Sequence, residues 1–210
     1  MARCYSVPVP NCHPSNPRKP QARPLPPLWL ISDARNDAGL ERALARLPRG
    51  SGFIYRHYHL GEADRRARFT RLARMARAHG HTTILAGNVA KARQWGADGA
   101  YGRARLLAPG AQSLRLVTVH SLTELRAAHA ARADAVLLSP VFATRSHPGG
   151  QELGPVRFRA IAARAQVPVI ALGGMNAHRA QARGIARWAA IDGLSGDSRH
   201  PPTASFPLCS

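Results

Sequence analysis

The sequence predicts an α/β protein whose strands close into a (β/α)₈ TIM barrel. Eight short apolar runs alternate with segments rich in Ala and Arg, and those segments carry their apolar residues at helical spacing. The apolar runs are continuous, which is typical of parallel strands buried on both faces. Because right-handed crossovers wind eight such units into a ring, a closed barrel is favoured over an open sheet.

Each element is predicted from its own apolar pattern. The predicted strands lie at 28–32, 52–58, 82–86, 99–102, 114–119, 135–142, 167–174 and 188–193. The predicted helices lie at 38–47, 63–79, 88–95, 121–131, 155–165 and 176–183. The connection between the fourth and fifth strands carries little helical signal, so we expect no full helix there.

The two ends of the chain differ from the predicted barrel domain at 28–195. Residues 1–27 contain eight prolines and no hydrophobic period, so we expect a disordered Pro-rich head; a start codon placed too far upstream explains it equally well. Residues 196–210 are predicted to be a disordered tail without an amphipathic helix. We therefore expect the barrel to lack its last helix and to be open on that side, covered by a second copy of the chain in a homo-oligomer or by the proline-rich segments.

The chain is strongly basic, with 30 Lys and Arg against 11 Asp and Glu and a net charge of +19. Segment 28–195 keeps 25 basic and 10 acidic residues, so the excess belongs to the folded part. The arginines of helix 63–79 recur at helical spacing, and we expect most of them on one solvated face: Arg65, Arg66, Arg68, Arg71, Arg74 and Arg77. A polyanion-binding face remains an alternative, although nucleic acid is the less favoured partner.

Two further classes of protein are disfavoured by composition. No apolar run approaches the roughly 18 residues of a membrane-spanning helix, so no membrane partner is expected. The cysteines, Cys4, Cys12 and Cys209, lie outside the predicted barrel. We therefore expect no disulfide framework, and we expect the protein to lie in the reducing cytoplasm.

The active site of such a barrel lies at the carboxyl ends of its strands, commonly with a phosphate site after strands seven and eight. Gly173 and Gly174 end the seventh strand where a helix begins, and Asn176 is placed to cap that helix. Glycines let a phosphate approach the backbone closely. The sequence therefore predicts a phosphate site here, with a tight turn that needs glycine as the alternative.

The loop after the sixth strand, SPVFATRSHPGGQELG, is long for such a connection, and long ordered loops usually carry function. Thr144 and Ser146 offer hydroxyl donors for phosphate oxygens, and Arg145 offers a guanidinium fork for an anion. A flexible surface loop is the alternative. We predict that this loop folds over an anionic ligand.

The stretches LLSPVFATRS and PVIALGGMN, preceded by WGADG and VTVHS, resemble the thiamine phosphate synthase and thiazole tautomerase family of barrels. The resemblance covers about residues 28–195. It implies that Thr144 and Ser146 of the loop after strand six bind a thiazole phosphate. It also places the phosphate-binding backbone of the family at Gly174, Asp192 and Gly193.

The resemblance implies a second half-site for an aminopyrimidine pyrophosphate. The family motif Q-x-R-x-K on strand two corresponds to Ile54, Arg56 and Tyr58, so the arginine alone matches. The family also holds Mg²⁺ on carboxylates after strands three and four. This chain instead has Ala86, Gly87, Asn88 and Ala90 at the first place and YGRAR at the second. The resemblance implies Mg²⁺ as a cofactor, but this chain has no carboxylates at the two positions where the family binds the ion. Arginines stand near the second of these positions.

The resemblance implies a synthase that joins aminopyrimidine pyrophosphate to thiazole phosphate and releases pyrophosphate. Arg56 would hold the pyrophosphate, and Tyr58 is the second candidate for substrate binding on this strand. In this chain Pro140 stands where the tautomerase branch has its acid/base histidine, and His120, His57 and His147 are the nearby candidates for proton transfer. We name His120 as the catalytic candidate, with a core or capping residue as the alternative. A relative that isomerises or only binds the thiazole phosphate, as a regulator, remains the leading alternative.

Overall fold

The chain forms a closed barrel of parallel strands in a computed structural model that describes residues 24–107, 113–144, 152–192 and 194. The strands are β1 (Leu28–Ile31), β2 (Gly52–Tyr55), β3 (Thr82–Ala86), β4 (Gly99–Gly102), β5 (Leu114–Val119), β6 (Ala135–Leu138), β7 (Val169–Ala171) and β8 (Trp188–Ala190). The helices between them are α1 (Leu40–Arg46), α2 (Glu62–Ala78), α3 (Val89–Gln94), α4 (Leu122–Ala130), α5 (Gly154–Ala162) and α6 (Ala177–Ala182).

Side chains that alternate along the strands fill the interior of the barrel. The largest of them is Trp29, which is fully buried and donates its indole N–H to the carbonyl of Pro26 at 2.8 Å. Gly52 on the neighbouring strand leaves the space that this ring occupies, because a Cβ there would lie 2.0 Å from the indole. The interior is thus a packed core, and ligands are left to the rim.

A second apolar layer lies between the strands and the helices. Phe53 and Tyr55 point outward from β2 and pack with Phe69 of α2, whose ring centre is 5.4 Å from that of Tyr55. The long helix α2 contributes Leu72 and other buried residues to this layer. These contacts fix the amino-terminal turn of α2 beside the carboxyl end of β2, at the rim where the site lies.

The ring of strands is closed between β1 and β8, as the predicted barrel requires. β8 pairs with β1 in parallel register, Leu28 with Trp188. The buried amide of Asn36, in a 3-10 helix (Ala34–Gly39), donates to the carbonyls of Ile31 at 3.0 Å and Ile191 at 3.1 Å and so joins the ends of the two strands. The predicted head and tail lie outside the described residues, apart from 24–27 of the head, and so does the place of a last helix.

The connection from β4 to β5 holds only a short 3-10 helix (Ala104–Leu106) in its described part, as the weak helical signal predicted. Strands β2, β6, β7 and β8 end earlier than their apolar runs do, so Arg56, Pro140, Gly173 and Asp192 lie on the rim beyond them. Among the described helices, none has the length and apolar character needed to cross a bilayer.

Candidate active site

Arg56 follows β2 at the rim of the barrel, and both polar groups of its backbone are held by side chains. Its N–H donates to the hydroxyl of Ser32 at 2.8 Å, and its carbonyl accepts a hydrogen bond from Nε of Arg65 at 2.9 Å. The guanidinium group of Arg56 lies 5.8 Å from the ring of Tyr58, which is 61% exposed. These two predicted site residues therefore lie together at the mouth.

A buried chain of hydrogen bonds runs from the backbone N–H of Arg56 through Ser32 and His57 to Asp37. The ring of His57 contacts the hydroxyl of Ser32 through Nδ1 and the carboxylate of Asp37 through Nε2, each at 2.8 Å. Because Asp37 accepts from Nε2–H, Nδ1 accepts the hydroxyl proton of Ser32, whose oxygen is left to accept from the Arg56 amide. Every member of the chain thus has a partner when His57 is neutral.

Burial lowers the pKa of His57, although the hydrogen bond to Asp37 opposes that shift. Burial also opposes the charge of Asp37, but the hydrogen bonds from His57 and Arg68 hold the pKa of its carboxyl below the usual value. Asp37 is therefore ionised and His57 neutral near pH 7. His57 faces the helices while Arg56 points to the mouth, which is the alternation expected after a strand.

Arg65 differs from the solvated residue that its helical spacing predicted. It lies in the first turn of α2, is 7% exposed, and donates to the carbonyls of Arg56 at 2.9 Å and Ala86 at 2.6 Å. Its guanidinium group lies 5.1 Å from the ring of Tyr58 and 5.4 Å from that of Trp95. Within the described residues it has no ion pair with a carboxylate. Arg65 therefore joins the ends of β2 and β3 and carries a buried positive charge beside the mouth.

The other arginines of α2 follow the prediction in part. Arg68 is half-buried and binds the carboxylates of Asp37 and Glu41, and Arg71 also binds Glu41. The hydrogen bonds from Arg68 lower the pKa of Glu41 to about 2 despite its partial burial. The exposed members of the set are Arg66, Arg71, Arg74 and Arg77.

Tyr101 is the third residue of β4, and its ring lies inside the barrel. Burial raises the pKa of Tyr101, while a hydrogen bond to the side chain of Thr118 and the charge of Arg56 act in the opposite direction. The hydroxyl group therefore stays protonated at neutral pH.

His120 lies just beyond β5 and is exposed at the rim. Its Nδ1 is 2.7 Å from the carbonyl oxygen of Ser139, so the ring donates through Nδ1–H. The neutral ring then presents Nε2 as its proton acceptor. The backbone N–H of His120 donates to the carboxylate of Glu124 at 2.6 Å. His120 thus has a fixed tautomer, as a proton-transfer group requires.

The loops after β6 and β7 pack directly against each other. The N–H of Val141 donates to the carbonyl of Leu172 at 2.9 Å, and that of Phe142 to Gly173 at 3.1 Å. Gly173 and Gly174 have φ angles of 97° and 60°. A Cβ on Gly173 would lie 2.7 Å from Cα of Pro140, and one on Gly174 would lie 2.7 Å from the carbonyl oxygen of Ala143.

Glycine is therefore required twice over at these positions, for backbone conformation and for the close approach of the two loops. Arg179 of α6 adds to this contact, since it donates to the carbonyl of Gly174 and its guanidinium group lies 4.6 Å from the ring of Phe142. The two predicted glycines and the segment that leads to Thr144 thus meet on one side of the mouth.

The remaining predicted residues of the phosphate side are described in part. Thr144 is half-buried at the end of the described loop. Asp192 forms an ion pair with Arg35, whose guanidinium group lies 3.4 Å from the Asp192 carboxylate. The same guanidinium group lies 2.9 Å from the carboxylate of Asp33. Arg145, Ser146 and Gly193 lie outside the described residues, so their place in the site stays a prediction.

The donor groups on the rim do not fit a Mg²⁺ ion. Among the described residues, no three His, Cys, Asp or Glu side chains lie together as a metal site would need. Beyond β3 the only oxygen donor in a side chain is that of Asn88, and it already accepts the N–H of Lys91 at 2.8 Å. Beyond β4 stand Arg103 and Arg105, which repel a cation.

Comparison with known proteins identifies the family of the chain. The family model described as thiamine monophosphate synthase matches residues 28–194. A putative thiamine-phosphate synthase 2 of Aquifex aeolicus is 38% identical over 59 residues, which are 28% of this chain and 32% of that protein. The alignment thus spans about a third of that relative's length.

Two solved structures share the fold. The thiamine phosphate pyrophosphorylase of Pyrococcus furiosus superposes with a TM-score of 0.66 at 21% identity, covering 81% of this chain and 88% of that one. The enzyme of the same name from Bacteroides thetaiotaomicron gives 0.51 at 12% identity, covering 80% and 83%. With the family model matched along the whole barrel, the chain belongs to the thiamine monophosphate synthase family.

Proposed function

We propose that this protein joins an aminopyrimidine pyrophosphate to a thiazole phosphate and releases pyrophosphate. The observation that carries the proposal is the joined pair of loops after β6 and β7. Gly173 and Gly174 bring the family-like segment Pro140–Thr144 against the carboxyl end of β7. The family to which the chain belongs supplies the class of substrate.

The thiazole phosphate would bind on this β6–β8 side of the mouth. Thr144, Arg145 and Ser146 would donate to the phosphate oxygens, and the backbone at Gly174 would approach them closely. Asp192 and Gly193 would complete the same side after β8. The fixed contact of Gly174 with the Ala143 carbonyl supports a preformed cradle, which lowers the entropic cost of binding.

The pyrimidine substrate would bind on the β2–β4 side. Arg56 would contact its pyrophosphate, and the exposed ring of Tyr58 offers a flat surface beside it. Side chains hold both the N–H and the carbonyl of Arg56, so the backbone that carries this arginine is fixed at the rim before the substrate arrives. A positive charge at this place is able to stabilise a leaving anion.

In this reaction the lone pair of the thiazole nitrogen attacks the methylene carbon of the pyrimidine. A C–N bond forms, the C–O bond to pyrophosphate breaks, and its electron pair leaves with the pyrophosphate. The ring nitrogen becomes cationic and loses no proton. The chain therefore needs to orient two substrates and to stabilise the leaving anion, which the arginines of the rim can do. The donors among the described rim residues do not fit Mg²⁺, so the stabilisation of the leaving anion would fall to these arginines.

A second function is favoured by one observation. His120 has its tautomer fixed by the Ser139 carbonyl and presents Nε2 as a base beside the β6 loop. A proton-transfer group at this place suits an isomerisation of a bound thiazole phosphate, in which a proton leaves one ring position and returns at another. The synthase reaction has no such proton transfer at the thiazole nitrogen.

Calorimetric titration distinguishes these functions. The synthase proposal predicts saturable binding of thiazole phosphate and of aminopyrimidine pyrophosphate to the same protein. Binding of the thiazole phosphate alone would reject the synthase and favour the isomerase or a regulator. Binding of neither would reject both functions.

A further inference from the structure

A cavity of about 200 Å³ opens between the 3-10 helix Ala104–Leu106 and α4, outside the loops that form the proposed thiazole phosphate cradle. It is lined by Arg103, Ala104, Arg105, Thr118, Glu124 and Ala127. The cavity exists because the connection from β4 to β5 carries only a short turn where other connections carry a longer helix. Neither the proposed role of Arg56 nor the β6–β7 loops uses it.

Arg103 places this cavity at the carboxyl end of β4. It directly follows Gly102, the last residue of that strand, and lines the cavity together with Arg105. The cavity therefore begins at the same rim of the barrel at which Arg56 follows β2.

The charges that face the cavity favour an anion. Arg103 and Arg105 are both exposed, and within the described residues neither forms an ion pair. Glu124 is the carboxylate on the opposite wall, and one of its oxygens accepts the backbone N–H of His120. Two guanidinium groups thus face one carboxylate that is already engaged, and the net charge is positive.

Guanidinium groups match phosphate oxygens with two parallel hydrogen bonds and stay charged at any physiological pH. Two of them supply a positive charge equal to that of one divalent cation. They stand beyond β4, where the donors do not fit Mg²⁺, and Thr118 of β5 lines the same cavity. The requirements for holding a pyrophosphate without a metal ion are therefore met by the side chains of this cavity.

We propose that Arg103, Arg105 and Thr118 form a metal-independent subsite for the pyrophosphate group of the second substrate. The subsite extends the mouth from Arg56 along the β4 edge, and its guanidinium groups take the role of a divalent cation. The identity of the ligand rests on the proposed function; the anion specificity rests on the cavity alone.

The test is calorimetric titration of the full chain with inorganic pyrophosphate in buffer that contains EDTA. We expect saturable binding, and we expect Arg103→Met combined with Arg105→Met to weaken it by at least about tenfold. The control for lost charge is a pair of single variants, Arg42→Met and Arg126→Met, whose exposed side chains lie on α1 and α4 away from the cavity lining. Each control should stay within about twofold of the parent.

Unchanged affinity in the double variant would overturn the subsite, and so would binding that is seen only when Mg²⁺ replaces EDTA. The outcome for the proposed function is separate. A double variant that makes thiamine phosphate at the parent rate overturns the subsite and leaves the function standing. A parent protein that binds pyrophosphate through the two arginines but makes no thiamine phosphate supports the subsite and rejects the function.

Discussion

The side chain of Arg65 donates a hydrogen bond to the backbone carbonyl of Arg56 at 2.9 Å, and the second nitrogen that it uses reaches Ala86 at 2.6 Å. One buried guanidinium group thus ties the carboxyl ends of two neighbouring strands. The N–H of Arg56 is held from the other side by Ser32 at 2.8 Å. The backbone of Arg56, the arginine that would meet the substrate, is therefore held in place by Ser32 and Arg65.

Replacing Arg65 by Met should lower both stability and pyrophosphate affinity. Two buried carbonyls lose their donor, which we expect to cost about 2 kcal/mol in the free energy of unfolding measured by urea titration. Affinity for aminopyrimidine pyrophosphate should fall more than affinity for thiazole phosphate, because Arg56 alone loses its support. Arg66→Met, at the exposed neighbouring position, should change stability by less than about 0.5 kcal/mol. Equal loss for both ligands would show that Arg65 has only a structural role.

The stability of the protein should fall as the pH drops from 7 to 5. The folded state holds the pKa of His57 below that of the unfolded chain, so the unfolded chain binds the extra proton first. The stabilisation from this histidine is therefore complete above about pH 6.5 and is lost progressively below it. Buried His81, whose pKa is also lowered by burial, acts in the same direction.

The measurement is the thermal midpoint at several pH values for the parent and for His57→Gln. The variant should show a shallower fall between pH 7 and 5, since one of the two shifted groups is gone. His59→Gln, which removes an exposed histidine of the same loop, should keep the slope of the parent. A steeper slope in His57→Gln would contradict the assigned direction of its pKa shift.

Gly174→Ala should abolish binding of thiazole phosphate at millimolar ligand. The new Cβ would stand 2.7 Å from the Ala143 carbonyl, so the loop after β6 must move away. Gly184 provides a matched control, because its φ angle of 61° is nearly that of Gly174 and a Cβ there meets nothing within 4 Å. Both variants carry the cost of a positive φ angle, and Gly174→Ala alone displaces the loop. Similar affinities in the two variants would contradict the placement of the phosphate.

Gly52→Ala should destabilise the barrel strongly. Its Cβ would lie 2.0 Å from the ring of Trp29 in the closed interior, and overpacking of this kind costs about 3 kcal/mol. Gly61→Ala is the control, since a Cβ at that exposed position meets nothing within 4 Å. Urea denaturation followed by tryptophan fluorescence measures both. An unchanged midpoint for Gly52→Ala would mean that Trp29 is not packed as described.

Much of the fold follows from local pattern. Strand β5 has the bounds that its apolar run predicted, 114–119, and α2 differs from the prediction by one residue at each end. The run 52–58 overshoots, because periodicity does not register that Arg56 exchanges the strand ladder for the hydroxyl of Ser32. The closure between β1 and β8 is reinforced by the amide of Asn36, which reaches Ile191 across 155 positions of the sequence, a contact that no local pattern contains.

The candidate site divides in the same way. Gly173 and Gly174 were predictable, because glycines at the end of a strand indicate a close backbone approach. Arg65 was not, since helical spacing places it among solvated arginines. Its position carried a usable signal: side chains of a helix lean toward the amino terminus, and the first turn of α2 lies at the rim. His57 and Asp37 are distant in sequence and meet through the turn after β2.

The formation of thiamine phosphate tests the central claim most directly. The protein is incubated with aminopyrimidine pyrophosphate and thiazole phosphate, once in EDTA and once in Mg²⁺, and the products are measured by mass spectrometry. The synthase account predicts equal amounts of thiamine phosphate and pyrophosphate, and a rate that falls in Gly174→Ala but not in Gly184→Ala. Absence of thiamine phosphate under both conditions, with both substrates bound, would contradict it.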